Sequence, residues 1–320
     1  MNVIYMGTPE FAVPALERLH AAGNQISLVL AKPDMPRDRG KKMQACPVKA
    51  KALELGLPVE TPERLRDEAL ISRIRELAPD IIIVAAYGKI LSKAILDIPR
   101  LGCVNIHASL LPAYRGAAPI QRAILAGEKE LGVTLMYMSK ELDAGDMIAK
   151  ASIPSVDQTS DEMFLELAEL GADLLMEQLP LIAEGKAERT PQDASLASYA
   201  PMIEKEDGRI DFTESAYKIC CRVRAMNSWP SAFCQLDERT MKVHEARELT
   251  PEEREALPSL MAAAGSEPGT VLRADKKGLL VACGEGDAVV FTKIQLPGKK
   301  AMEVSAFLLG NKIEIGHKLL

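Results

Sequence analysis

The hydrophobic pattern of the first hundred residues switches period several times. Residues 2–5, 26–31, 81–85 and 103–106 are short runs rich in Val and Ile, without polar alternation. Runs of this kind suit strands buried on both faces, as in a parallel sheet. Between them, apolar residues recur at helical spacing over 11–22, 48–55 and 65–77. Alternating strand and helix predicts an α/β fold with a doubly wound, mostly parallel, Rossmann-like sheet. Two further strands, 133–138 and 147–153, are expected to run antiparallel at one edge. Residues 159–182 read as one long amphipathic helix entered through Ser160 and Glu162.

The pattern breaks at 189–206. Arg189-Thr190-Pro191-Gln192-Asp193-Ala194-Ser195 and Pro201 are polar, turn-rich and aperiodic, as a linker would be. This divides the chain into an expected catalytic domain, 1–188, and a second domain, 207–320. In the second, one helix (215–225) and about five short strands (232–236, 242–246, 270–272, 279–282 and 289–296) fit a small, OB-like β-barrel. Trp229, the single tryptophan, suits a core plug or an interdomain contact, with core the expectation.

Composition narrows the class. The chain is 48% hydrophobic and 26% charged, as in an ordinary soluble protein. No apolar run approaches the roughly 18 residues needed to span a bilayer, and the opening Met1-Asn2-Val3-Ile4-Tyr5 lacks the basic flank of a signal peptide. A cytoplasmic monomer without membrane contact is expected. The six cysteines form no CxxC pair and no metal-ligand spacing with the four histidines. Free thiols and no metal are the expectation, with Cys220-Cys221 filling a helix. In the first loop, Met6-Gly7-Thr8-Pro9-Glu10-Phe11, one glycine stands where a dinucleotide fingerprint needs three. No GxxxxGK[ST] loop occurs, so no nucleotide cofactor is expected.

The net charge of −6 argues against a generic polyanion binder. Residues 207–320 hold equal numbers of basic and acidic side chains, however, so the whole deficit lies before them. Within that acidic part, Lys32, Arg37, Arg39, Lys41, Lys42, Lys49 and Lys51 face only Asp34 and Asp38. Such a loop can bind phosphate; a solvated charged loop is the plainer reading.

Candidate chemistry lies at the end of the 103–106 strand. Side chains alternate across a strand, so Asn105 and His107 share a side. Asp143, in Leu142-Asp143-Ala144-Gly145-Asp146, adds a carboxylate from a later loop. A carboxamide donor, an imidazole and a carboxylate are the parts that hold a developing oxyanion and manage a proton without a metal. On spacing alone a hydrogen-bonded structural histidine stays open. Tyr87-Gly88 also falls at a strand's carboxyl end, where ligands gather in such sheets.

Asn105-Ile106-His107, Ser109-Leu110-Leu111-Pro112, Arg115-Gly116-Ala117-Ala118-Pro119-Ile120-Gln121 and Leu142-Asp143-Ala144-Gly145-Asp146 resemble the signature of the folate-dependent formyltransferases. Within that family the likeness is to the branch that acts on charged initiator tRNA, and it runs nearly end to end. It includes Met6-Gly7-Thr8-Pro9-Glu10-Phe11-Ala12, Arg39-Gly40-Lys41-Lys42, Ile210-Asp211-Phe212, Arg224-Ala225-Met226-Asn227-Ser228-Trp229-Pro230 and Leu296-Pro297-Gly298-Lys299-Lys300. Phe212 and Ser228 stand where that family often has Trp and Pro. The resemblance implies transfer of a formyl group from 10-formyltetrahydrofolate to the α-amine of methionine on initiator tRNA. A small amine or amino sugar is the alternative acceptor. It implies that Asn105, His107 and Asp143 are catalytic and that Ser109, Leu110, Leu111 and Pro112 form part of a folate wall. Tyr87 and Gly88, from their strand-end position, are expected to line the pterin pocket through backbone groups. Arg39, Lys41, Lys42, Arg222, Arg224, Lys242, Lys299 and Lys300 become the candidate tRNA contacts.

Overall fold

A computed structural model of the chain describes residues 1–37 and 42–320. Its described residues form two compact units: Met1–Pro119, Glu130–Pro154 and Glu162–Pro201 make the first, and Ile120–Lys129, Ser155–Asp161 and Met202–Leu320 the second. Through the first half of the chain the strands are β1 (Asn2–Gly7), β2 (Gln25–Leu30), β3 (Met35–Arg37), β4 (Lys42–Gln44), β5 (Val59–Glu60), β6 (Ile81–Ala85), β7 (Cys103–His107), β8 (Arg115–Gly116), β9 (Glu130–Tyr137), β10 (Met147–Pro154) and β11 (Tyr199–Ala200). The helices are α1 (Val13–Ala21), α2 (Pro47–Glu54), α3 (Glu68–Glu76), α4 (Lys93–Leu96), α5 (Pro119–Ala126) and α6 (Ser160–Ala183).

Seven strands form one sheet in the order β10-β9-β7-β6-β1-β2-β5. β5, β2, β1, β6 and β7 are mutually parallel, while β9 and β10 run antiparallel at one edge, as the pattern predicted. The chain moves outward from β1 through β2 to β5, then returns beside β1 as β6 and proceeds to β7. The order therefore reverses between β1 and β6, which opens a crevice at their carboxyl ends. There Thr8 Oγ1 donates to the Tyr87 carbonyl at 3.1 Å and ties the two loops together.

β6 and β7 are buried at every residue, which explains their unbroken apolar runs. On one face, Ile4, Met6, Leu28, Leu30, Ile82 and Val84 pack with Leu70, Ile71 and Ile74 of α3, which Asp67 caps by accepting from Ala69 N. In α6, a Cβ on Gly171 would lie 2.7 Å from Ile106 Cγ2, so the bare glycine allows the helix to approach β7 closely. Ile106 is thus committed to α6, and strand alternation turns Asn105 and His107 to the opposite face.

The second unit holds β12 (Ala232–Leu236), β13 (Arg239–Arg247), β14 (Val271–Asp275), β15 (Gly278–Ala282), β16 (Ala288–Gln295) and β17 (Met302–Glu303), with α7 (Ala216–Ala225), α8 (Pro251–Ala264) and α9 (Val304–Phe307). The antiparallel order is β12-β13-β16-β15-β14, with β17 also on β16. Residues 316–320 join its two edges: Val271 N donates to His317 O, Leu319 N to Gly269 O, and Leu320 N to Gln235 O. One face, including Val271, Leu279, Val281, Val289 and Phe291, encloses the core with α7. The other, including Leu272, Leu280, Ala288 and Val290, lies under α8 through Leu257.

Several sequence expectations change. Residues 207–320 contain a second substantial helix, α8, where one was expected; its start is marked by Pro251 and a Thr250–Glu253 capping box. β5 and the β3–β4 hairpin were also not anticipated, being too short for a periodic signal. Residues 120–129 and 155–161 belong to the second unit: Arg122 clamps Asp207 with contacts of 2.8 and 2.7 Å, Tyr217 donates to Gly127 O, and Asn227 to Asp161. Residues 189–201 belong to the first, where Thr190 and Met147 exchange two backbone hydrogen bonds and β11 pairs with β8. Trp229 is 59% exposed and not core. The adjoining Pro230, Ser231 and Ala232 are buried instead, and the chain turns the indole outward. All six cysteines are free and buried, as expected; burial pushes Cys103, Cys220, Cys234 and Cys283 up to about 12.

Glu253 joins α8 to the sheet. It is 5% exposed and accepts from Arg247 at 2.6 and 3.0 Å and from Arg273 at 2.6 Å. Arg247 chiefly holds its carboxyl far below the usual range. A depressed carboxyl contributes stability that is complete above its unfolded pKa and lost as pH falls through the folded one. Glu253→Gln is expected to cost about 2 kcal/mol near neutrality, toward the low side for a buried pair because Arg247 is partly solvated. Urea unfolding should show that difference at pH 7 and a narrowing one in acid; an equal deficit at every pH would refute the electrostatic account.

Candidate active site

β7 delivers Asn105 and His107 to the carboxyl edge of the sheet, next to the end of β6. Both are buried. His107 pairs in register with Thr134 of β9, and Thr134 also shapes the following turn. Its hydroxyl donates to Ser109 O at 2.7 Å and accepts from Leu111 N at 3.0 Å. Ser109 Oγ donates to Ala113 O at 2.7 Å, the Leu111–Pro112 peptide is cis, and Lys150 Nζ donates to Leu111 O. Residues 109–113 are therefore braced at successive backbone groups. Leu111 is fully buried with Met136 and Met147.

His107 Nε2 lies 3.0 Å from the Tyr114 carbonyl. A carbonyl oxygen only accepts, so Nε2 carries the hydrogen and the neutral ring keeps its lone pair on Nδ1. Nδ1 faces Asp143 Oδ2 at 3.7 Å, beyond direct hydrogen-bond length. When a proton reaches Nδ1, the imidazolium finds the carboxylate already beside it. Asp143 Oδ2 also accepts from Gly116 N at 2.9 Å, while Asp143 itself adopts a left-handed φ of 48°. Asn105 has no side-chain hydrogen-bond partner among the described residues. A free amide donor thus stands two residues before a proton acceptor on the same strand face.

Sequence reasoning missed Gln192. Its amide nitrogen donates to Asp143 O and Gly145 O, both at 2.8 Å, while Oε1 accepts from Arg115 Nε at 3.0 Å and Nη2 at 2.7 Å. No periodicity or motif marks a glutamine in an aperiodic stretch; only Arg115, inside a recognised motif, carried a local signal. Tyr87 is buried with its hydroxyl unpartnered in the structure, and burial pushes that hydroxyl up to about 12. Its carbonyl accepts from Thr8 Oγ1, and Gly88 is exposed.

The candidate cations divide. Arg39 and Lys41, and the side chain of Lys42, lie outside the described residues. Arg222 donates to Asp207 O and to both Glu214 carboxylate oxygens at 2.9 Å, and Arg224 donates to Val156 O. These two guanidinium groups serve the second unit's own packing. Lys299 and Lys300 are exposed between β16 and β17. Lys205, Arg209 and Lys242 line a cavity of about 430 Å³ together with Trp229 and Phe233. Among the described residues no group of three or more His, Cys, Asp or Glu side chains is placed to hold a metal, and no helix is long and apolar enough to cross a membrane.

An amide donor, an imidazole and a carboxylate stand together at the carboxyl edge of a doubly wound sheet. Residues 1–179 match the family model described as formyl transferase, and 202–312 match formyl transferase, C-terminal domain. The chain belongs to the formyl transferase family. Within it, the methionyl-tRNA formyltransferase of Moorella thermoacetica is 44% identical over 311 residues, covering 97% of this chain and 96% of that one. That of Geobacter sulfurreducens is 41% identical over 320 residues, covering 100% and 96%. The sugar 3N-formyl transferase WlaRD, solved with dTDP and 5-N-formyl-THF, shares the fold with a TM-score of 0.66 at 17% identity, covering 94% of this chain and 99% of that one. HypX from Aquifex aeolicus, solved with tetrahydrofolic acid, gives 0.62 at 18% identity and covers 96% of this chain; the chain spans only 46% of that protein.

Gly116 sits at φ 118°, and a Cβ there would lie 2.8 Å from Ala200 O. Gly116→Ala must displace the amide that holds Asp143. Formyl transfer is expected to slow by about tenfold or more, since a misplacement near 1 Å can cost about a hundredfold. Initial rates decide this; unchanged turnover in the folded variant would show that the Gly116 amide is dispensable.

Proposed function

We propose that the protein transfers a formyl group from 10-formyltetrahydrofolate to the α-amine of methionine on initiator tRNA, giving N-formylmethionyl-tRNA for translation initiation in the cytoplasm. The observation that carries the chemistry is the unpartnered Asn105 carboxamide beside a His107 whose free Nδ1 faces Asp143. The near full-length likeness to methionyl-tRNA formyltransferases supports the acceptor. In this reading the first unit, which includes residues 189–201, performs the transfer, and the second holds RNA.

The folate co-substrate supplies an activated formyl group, and a carboxamide donor with a proton acceptor is the donor set such a carbonyl needs. Asn105 donates to the formyl oxygen as negative charge grows there. His107 Nδ1 accepts the proton that the attacking amine must lose, and Asp143 stabilises the imidazolium through the 3.7 Å approach. Nδ1 then returns the proton to the folate nitrogen as the carbon–nitrogen bond to folate breaks. Because Nε2 is held by Tyr114 O, exchange runs through Nδ1 alone. Ser109, Leu110, Leu111 and Pro112 border the folate through their braced turn, and Tyr87 and Gly88 through backbone groups.

Nucleic-acid contact needs cations without internal partners. Lys299, Lys300, and Lys205 and Arg209 at the cavity beside the exposed Trp229 meet that need better than Arg222 and Arg224, although Glu206 also lines the cavity and Lys242 there donates to Ser231 Oγ. The Arg39-Gly40-Lys41-Lys42 loop is assigned to the acceptor end. An indole beside cations suits nucleotide stacking.

Labelled formyl should enter charged initiator methionyl-tRNA and not amino sugars; the reverse would transfer the reading to a small amine. Loss of one preorganised donor costs about 3–4 kcal/mol. Asn105→Ala should therefore fold yet turn over about a hundred- to a thousandfold more slowly. His107→Ala and Asp143→Ala, which remove the proton transfer, should fold and slow by about a hundredfold or more. Near-normal rates in all three would end the catalytic assignment. If about four phosphates are contacted, affinity for the tRNA should fall about a hundredfold between about 50 and 200 mM salt. A flat response would rule out phosphate recognition.

A further inference from the structure

We propose that Gln192 is a positioning residue that keeps the Asp143 carboxylate in register with the His107 imidazole, and that the buried Arg115 guanidinium in turn anchors Gln192. The inference rests on the catalytic reading of Asp143 given above.

Asp143 occupies a backbone conformation that a residue with a Cβ rarely adopts, and such a conformation persists only where surrounding contacts over-determine it. Two contacts do so here. Gly116 N holds the side chain, and the Gln192 amide holds the main-chain carbonyl while also taking that of Gly145. Gly145 cannot yield, because its Cα is pressed so closely to Tyr137 O that a Cβ would lie 1.8 Å from it. Gln192 thus ties the strained residue to a fixed point two positions on.

The choice of an amide is itself informative. Arg115 is 6% exposed, and no carboxylate among the described residues pairs with it; its partner is the neutral Gln192 oxygen. A glutamate at 192 would satisfy that buried cation better. It would also carry no hydrogens for the carbonyls of Asp143 and Gly145, each 2.8 Å away. Glutamine is the side chain of that length that serves both ends. Arg115 fixes its oxygen, which leaves both amide hydrogens pointed at the loop. The 3.7 Å gap between Asp143 Oδ2 and His107 Nδ1 is then set by a chain of contacts originating outside the catalytic set.

The test uses the full-length enzyme with methionyl-initiator tRNA and folate donor, comparing Gln192→Glu, Gln192→Met, Asp143→Asn and the double variant Gln192→Met/Asp143→Asn. Both single changes at 192 should lower kcat about 10- to 100-fold, with KM for each substrate within about twofold of wild type. Gln192→Glu should lose as much as Gln192→Met although it retains the contact with Arg115, and its matched shape guards against simple unfolding. In the double variant the loss should be no greater than in Asp143→Asn alone, since the two act on one element. A lowered melting temperature with normal kcat, or losses that multiply in the double variant, would overturn the proposal. If Asp143→Asn itself turned over normally, the catalytic reading would fall with it; a dead Asp143→Asn beside normal Gln192 variants would remove only the role given to Gln192.

Discussion

The hydrogen bond between His107 Nε2 and the Tyr114 carbonyl decides how this site can work. An imidazole has two nitrogens with interchangeable roles until one is committed. Tyr114 commits Nε2 as donor, which makes Nδ1 the only nitrogen able to take a proton from neutral His107. Everything around the ring then acquires a direction. Asp143 stands on the Nδ1 side, Asn105 lies two residues back on the same face, and Ile106 between them faces away into the α6 contact. The turn that carries Tyr114 is braced from Thr134, directly opposite His107 on β9. One strand pair therefore fixes both the ring and the carbonyl that orients it.

The burial of charge around this ring follows a consistent economy. Arg115 is buried but is satisfied by a neutral amide, so Asp143 is left as the carboxylate beside His107. Had Arg115 reached Asp143 instead, the carboxylate would be neutralised by a permanent cation and would favour an imidazolium far less. Gln192 keeps the two apart chemically while linking them mechanically. The contrast with Glu253 is instructive. There two arginines converge on one buried carboxylate, which fastens α8 to the sheet and leaves no charge to spare for chemistry.

How much of this was readable from the sequence depends on the range of each interaction. Buried parallel strands were legible because burial on both faces writes an uninterrupted apolar run, and Asn105 and His107 followed from strand alternation alone. Asp143 was legible only through its motif, since nothing local links residue 143 to residue 107. Gln192 was not legible: its role depends on Arg115, Asp143 and Gly145 meeting in three dimensions, and its own neighbourhood reads as a linker. α8 was missed although Thr250, Pro251 and Glu253 form a start signal, because its apolar face is narrow against a broadly polar segment. Trp229 went to the surface against the usual burial of tryptophan, because the chain buries Pro230, Ser231 and Ala232 in its place.

Charge counting fails for the second unit in an informative way. Equal numbers of basic and acidic residues suggest no pull on a polyanion, yet what attracts phosphate is a cation whose own protein has not claimed it. Arg222 and Arg224 are claimed by Glu214, Asp207 and Val156. Lys299 and Lys300 stand on an exposed turn, and Lys205 and Arg209 border the cavity at Trp229. A balanced total can therefore hide a surface that is locally positive, provided the acids are spent on internal arginines. A domain of neutral composition can thus present unclaimed cations without becoming a general polyanion trap.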